Sequence, residues 1–219
     1  MGDAVPSPDE SAGPVVALIR RALAERSARP GTAPLVVAVD GRSGGGKSTL
    51  ARAVVTALGS GSDPVVAVVI EGDDFYAGGS AAAWDARSIE ERADRVIDWR
   101  RQREVLEALR RGEAASWHPF DWYSDDWDGD RVPVADQPVR CAPGEAVILE
   151  GVYSARPELA DLVDLRVLLD PPAERRGRQL REREGEGRRD DWDARWAGAE
   201  EHYFGVVLAG ERCDLVLGG

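Results

Sequence analysis

The residues best able to do chemistry in this chain lie within GRSGGGKST, where Gly41, Gly46, Lys47 and Ser48 fill the pattern G-x-x-x-x-G-K-[ST]. Glycines in such a run let consecutive backbone N–H groups curl around a phosphate. Gly41, Ser43, Gly44, Gly45, Gly46, Lys47, Ser48 and Thr49 form the expected cradle. A helix starting near Lys47 adds the positive end of its dipole to the same spot. Lys47 would lie along the β- and γ-phosphates, and the Ser48 hydroxyl would ligate Mg²⁺. Lys47 is the only lysine among the 28 basic residues. A compact ammonium stands where a planar guanidinium would fit a phosphate cradle differently. The pattern predicts a site for ATP or GTP. A GTPase switch is excluded, because its Asn-Lys-x-Asp base reader needs a second lysine.

Carboxylates at strand ends come next. Val65 to Ile70 reads as an apolar strand running into Glu71-Gly72-Asp73-Asp74, and Ala146 to Leu149 as another ending on Glu150. An acid in the place of Asp73 can accept a proton from a hydroxyl or hold magnesium through water. Glu150 would complete a magnesium shell that needs few protein ligands. Arg175, Arg178 and Arg181 recur every third residue, so one helical face can offer guanidinium groups to transferring phosphates. Phe120, Asp121, Trp122 and Tyr123 suggest an aromatic, acidic acceptor pocket inside Trp117 to Asp130.

These residues need a frame that brings strand ends together. Leu35 to Val39, Val65 to Ile70, Ala146 to Leu149, Leu165 to Leu169 and Cys213 to Leu217 read as strands. Helices are expected from Val15, after Lys47, over Asp98 to Arg111, Ala173 to Arg183 and Asp193 to Phe204. The alternation predicts an α/β, P-loop NTP hydrolase-like three-layer fold: a central parallel sheet, helices on both faces, and a small helical lid. Ligands in such sheets sit beyond the strand C-termini. Residues 1–13 read as disordered, Ala77 to Ser88 as a loop, and Arg131 to Val139 as an edge strand or hairpin arm. A tail and helix over 1–30 would precede one kinase-sized domain over 31–219, with its lid near 174–191.

Bulk properties narrow the classes. A net charge of −12 argues against a nucleic-acid binder, and no apolar run reaches membrane-spanning length. The acidic start MGDAVPSPDE lacks a secretion signal, and Cys141 and Cys213 offer no metal spacing, so a cytoplasmic protein is expected.

With GRSGGGKST, GDDFY, HPFDW and ILEGVY in this order, the chain resembles the uridine kinase family of P-loop nucleoside kinases from about Leu35 to Leu217. The resemblance implies transfer of the γ-phosphoryl group of ATP or GTP to a hydroxyl of a nucleoside such as uridine or cytidine, or of a similar small metabolite. It makes Asp73 the catalytic base beside Tyr76, adds Asp73 and Glu150 to Ser48 around Mg²⁺, and lines the acceptor pocket with Phe120, Asp121 and Trp122. It also implies lid arginines at Arg175 and Arg178 and an acceptor contact from His202. Asp125 stands where nucleoside kinases usually place a histidine, which would also suit a cationic acceptor. The acid that binds the ribose hydroxyls in the family has no clean match here, with Asp94 and Asp98 as the two candidates. The rival from another class is an ATPase regulator without a small acceptor, whose pocket near Phe120 would be shallow or filled.

Overall fold

The computed structural model describes residues 8–27, 33–124, 132–184, 190–208 and 213–218. Asp125, Trp127, most of the linker before Pro34 and the far end of the expected lid lie outside them. Five strands build one sheet: β1 (Leu35–Asp40), β2 (Ala67–Glu71), β5 (Ala146–Glu150), β6 (Leu165–Leu169) and β7 (Leu215–Leu217). Their order is β2-β5-β1-β6-β7, and every pairing is parallel. β1 is buried along its whole length, as its unbroken apolar run requires. Its alternating side chains feed two cores. Val36 and Ala38 face Val105, Leu106 and Leu109 of α5 (Trp99–Arg110). Leu35, Val37 and Val39 face Val15 and Ile19 of α1 (Pro8–Ser27) and Leu50, Val54 and Leu58 of α2 (Lys47–Leu58). The register sets Glu150 opposite both Val39 and Glu71, so the acids at the ends of β5 and β2 reach the sheet edge beside the glycine-rich loop.

Two expectations need correction. The first 13 residues are not all tail: α1 begins at Pro8, and Ala12 is already buried. Proline suits the first turn of a helix, which the Pro- and Ser-rich composition obscured. Nor is 77–88 all loop. It holds α3 (Ala81–Asp85), capped by the Ser80 hydroxyl, which accepts from Ala83 N–H at 3.2 Å. Burial of Trp84, whose indole N–H donates to the Gly78 carbonyl at 2.8 Å, anchors this turn. The next helix, α4 (Ile89–Arg95), starts from a capping box: Ser88 Oγ accepts from Glu91 N–H, and the Glu91 carboxylate accepts from Ser88 N–H.

The remaining elements frame the two ends of the site. A hairpin pairs β3 (Ala115–Trp117) with β4 (Val139–Cys141), and Phe120 bridges to Val134. Thus only the end of the expected 131–139 arm is regular strand. α6 (Ala173–Glu184) follows β6, and α7 (Asp190–His202) runs into a π-helical turn, Tyr203–Val207. Among the described residues, no helix is long and apolar enough to cross a membrane.

If α1 is part of the folded unit, Ile19→Ala should destabilise by about 2–5 kcal/mol, the range for a large buried aliphatic residue. Exposed Arg21→Ala on the same helix should stay within about 0.5 kcal/mol. Urea titration followed by tryptophan fluorescence reads both values.

Candidate active site

The glycine-rich loop joins β1 to α2 just beyond the central strand's C-terminus. Gly44 has φ +72, and a side chain there would meet the Arg176 carbonyl of α6 at 2.6 Å, so only glycine lets α6 lie against the loop. Gly46 caps α2 without any side-chain acceptor. The first-turn N–H groups of Lys47, Ser48 and Thr49 therefore have no intrahelical partner and are suited to an anion. Lys47 is 8 % exposed, and its ammonium donates to the Arg42 carbonyl at 3.1 Å, folded back along the loop.

Glu150 stands next to this cradle. Burial is the main cause that pushes its carboxyl from 4.5 up to about 7, and the nearby charge of Asp73 adds to it. Lys47 and a hydrogen bond from Ser48 pull the other way. Lys47, Ser48 and Asp73 thus all lie within reach of the Glu150 carboxyl. Gly72 makes the approach of Asp73 close: a side chain there would meet the Glu150 carbonyl at 2.8 Å. Asp73 itself is exposed. Its neighbour Asp74 is engaged by the indole N–H of Trp117 at 2.7 Å and fixes the hairpin instead.

The residues expected at the acceptor form a wall of rings. Tyr76 is 3 % exposed, packed edge-on to Phe120 (4.8 Å) and stacked with Trp122 (5.2 Å) and Trp84 (6.5 Å). Asp121 accepts from Tyr123 N–H at 3.0 Å, closing its own turn. Tyr123, expected in the pocket, is 96 % exposed. Asp98 caps α5 by accepting from Arg101 N–H at 3.3 Å. Its rival Asp94 pairs with buried Arg156 at 3.1 Å. On α6, Arg175 lines a cleft with Thr49, Leu50, Gln179 and Ser11 of α1, while Arg178 points to solvent. His202 ends α7, within electrostatic reach of Glu90 of α4.

Sequence reasoning missed two acids. Asp40, fully buried, accepts from Gly41 N–H (2.7 Å), Tyr153 N–H (3.0 Å), Ala155 N–H (2.8 Å) and Tyr203 hydroxyl (2.7 Å). Burial raises its carboxyl against the pull of these donors. Glu200 of α7 accepts from Ser43. An acid directly before the first loop glycine was the available signal for Asp40; Glu200 had none.

A family model described as Phosphoribulokinase / Uridine kinase family matches residues 36–188. The chain belongs to this family. Among solved structures, it resembles a possible uridine kinase from Bacillus stearothermophilus at 20 % identity and TM-score 0.63, covering 93 % of this chain and 99 % of that one. A candidate fructose transport system kinase from a Silicibacter species matches at 21 % identity and TM-score 0.62, with 93 % and 98 % covered. At these identities the likeness shows the fold. The family makes the chain a P-loop kinase, a phosphotransferase with a nucleotide-binding loop.

The raised Glu150 carboxyl gives a pH test. Its folded value exceeds its unfolded one, so this contribution to stability is fully present below about 4.5 and lost as pH rises through about 7. Glu150→Gln keeps the neutral shape. In metal- and nucleotide-free buffer, its melting temperature relative to wild type should increase between pH 5 and pH 8. Thermal unfolding across that range checks the sign, and an unchanged difference would remove burial as the cause.

Proposed function

We propose that this kinase moves the γ-phosphoryl group of ATP, or of GTP, to a hydroxyl of a small molecule such as a nucleoside. The observation that carries the reading is the meeting of Lys47, Ser48, Asp73 and Glu150 at one point of the sheet edge, beside open N–H groups. In this reading the N–H groups of Gly44 and of Gly46 to Thr49 and the Lys47 ammonium hold the phosphates, and the acceptor oxygen attacks the γ-phosphorus from the side of Asp73. A P–O bond forms as the bond to the β-phosphate oxygen breaks, and the acceptor's proton passes to Asp73. Arg175 and Arg178 neutralise charge on the transferring group, a role that requires Arg178 to swing in from solvent.

The donor set fits Mg²⁺: the Ser48 hydroxyl and the Glu150 and Asp73 carboxylates supply only oxygen. Among the described residues, no cluster of three or more His, Cys, Asp or Glu could hold a metal. That fits an ion whose remaining ligands are phosphate and water. When bound, it would offset phosphate charge, and the proton on Glu150 would have to leave.

Tyr76, Phe120, Asp121 and Trp122 supply the acceptor wall, together with Asp98, whose N–H donates to the Phe75 carbonyl at 2.8 Å, and His202. One observation favours a second reading, ATP hydrolysis without a small acceptor: Trp122 stacks on Tyr76, so the wall is covered by the protein's own rings. A panel of uridine, cytidine, fructose, vitamins and amino alcohols separates the two. Acceptor-dependent ADP release supports transfer, and release indifferent to every acceptor supports hydrolysis. With the active acceptor, Asp73→Asn should lower turnover roughly 10²–10⁴-fold while ATP affinity changes little. Near-wild-type turnover would take Asp73 out of the role.

A further inference from the structure

The first half of the glycine-rich loop is held by groups that have no part in the reading above. Ser43 N–H lies 3.2 and 3.3 Å from the two carboxylate oxygens of Glu200, and the Ser43 hydroxyl donates a short hydrogen bond to the same group. The Arg42 guanidinium meets Glu201 at 2.8 Å and covers the Phe204 ring at 4.9 Å. All these partners come from α7 and the π turn behind it, which also sends Tyr203 to Asp40. The other part of α7 is anchored independently. Arg195 donates to both carboxylate oxygens of Asp85 at 2.7 and 3.1 Å, and Trp196 packs edge-on to Trp84 at 4.9 Å. Glu200, 9 % exposed, is thus presented to the loop by a helix fixed on both sides of it.

We infer that Glu200 is a positioning residue for the nucleotide: it holds the Ser43 N–H and hydroxyl on the α7 side of the loop, so that the N–H groups of Gly44 and of Gly46 to Thr49 are left for the triphosphate, while Gly45 N–H stays on the Arg42 carbonyl at 3.1 Å. The inference rests on the kinase reading. Two physical effects oppose each other here. By charge alone, a carboxylate beside an anion site weakens triphosphate binding. By geometry, losing the three contacts lets the loop relax out of its receiving shape, and the ordering must then be supplied on binding. The sign of the change in affinity decides between them.

Titration calorimetry of Mg·ATP into wild type, Glu200→Ala, Glu200→Gln, Ser43→Ala and the Ser43→Ala/Glu200→Ala pair reads that sign. Glu200→Ala should weaken binding about tenfold or more, the scale of one or two lost charge-assisted hydrogen bonds. Glu200→Gln, which keeps an acceptor and removes the charge, should return to within about threefold of wild type. The double variant should bind no more weakly than Glu200→Ala alone, because both changes break one contact. Unchanged or tighter binding by folded Glu200→Ala, or penalties that multiply in the double variant, would overturn the role. A merely structural Glu200 would lower the melting temperature and leave affinity alone. Should Glu200→Ala not fold, Ser43→Ala decides: weaker binding supports the role, and wild-type binding ends it. Wild-type protein that takes up neither Mg·ATP nor Mg·GTP would refute the kinase reading itself and this role with it; uptake of Mg·GTP alone moves the same titrations to GTP.

Discussion

A single buried carboxylate organises the catalytic edge of this protein. Asp40 ends the central strand, where it is cut off from water and collects four donors from three separate parts of the chain. A carboxylate so placed is costly unless its oxygens are matched by donors, and each donor removed leaves it less compensated. The constraint therefore runs outward. Gly41 N–H fixes where the phosphate loop starts. Tyr153 and Ala155 N–H fix the turn that follows Glu150. The Tyr203 hydroxyl fixes the end of α7. Tyr153 takes a left-handed backbone, φ +72, which costs about 1–3 kcal/mol and persists because its N–H is held by Asp40. The loop that binds phosphate, the strand that delivers Glu150 and the helix that carries Glu200 are positioned from the same two oxygens.

Charge is sorted around the loop in a way that follows from this. Acids lie behind it, at Asp40, Glu200 and Glu201, where they engage N–H and guanidinium groups of its first half. In front stand the Lys47 ammonium and the open turn of α2, which favour an anion. Glu150 sits on the boundary, buried enough to resist ionisation yet within reach of Lys47 and Ser48. That environment suits a group which becomes fully charged only when a cation arrives.

The aromatic region around Tyr76 is built on a different principle. Its rigidity comes from rings: Tyr76 contacts Phe120, Trp122, Trp84 and Trp196, and Trp84 is pinned by its own indole hydrogen bond. Such a cluster gives a shaped apolar wall with few hydrogen-bonding demands. α7 is shared between this wall and the phosphate loop, so neither can move far without the other.

The P-loop, the strand-end acids and the parallel sheet were readable from the sequence because each is a local pattern with a local cause: glycine spacing, an apolar run, a polar residue where the run stops. Ser88-x-x-Glu91 and Pro8 were local signals too, but low-complexity surroundings masked them. Asp73 and Asp74 are alike in chemistry and adjacent in sequence, and the resemblance alone preferred Asp73. Only the packing of Trp117 shows that Asp74 serves the hairpin while Asp73 stays open. Asp40 and Glu200 are further apart still. Their significance lies in contacts 113 to 163 residues distant along the chain for Asp40, and 157 for Glu200. A carboxylate's role depends on which donors surround it and how little water does, and both are properties of the folded chain.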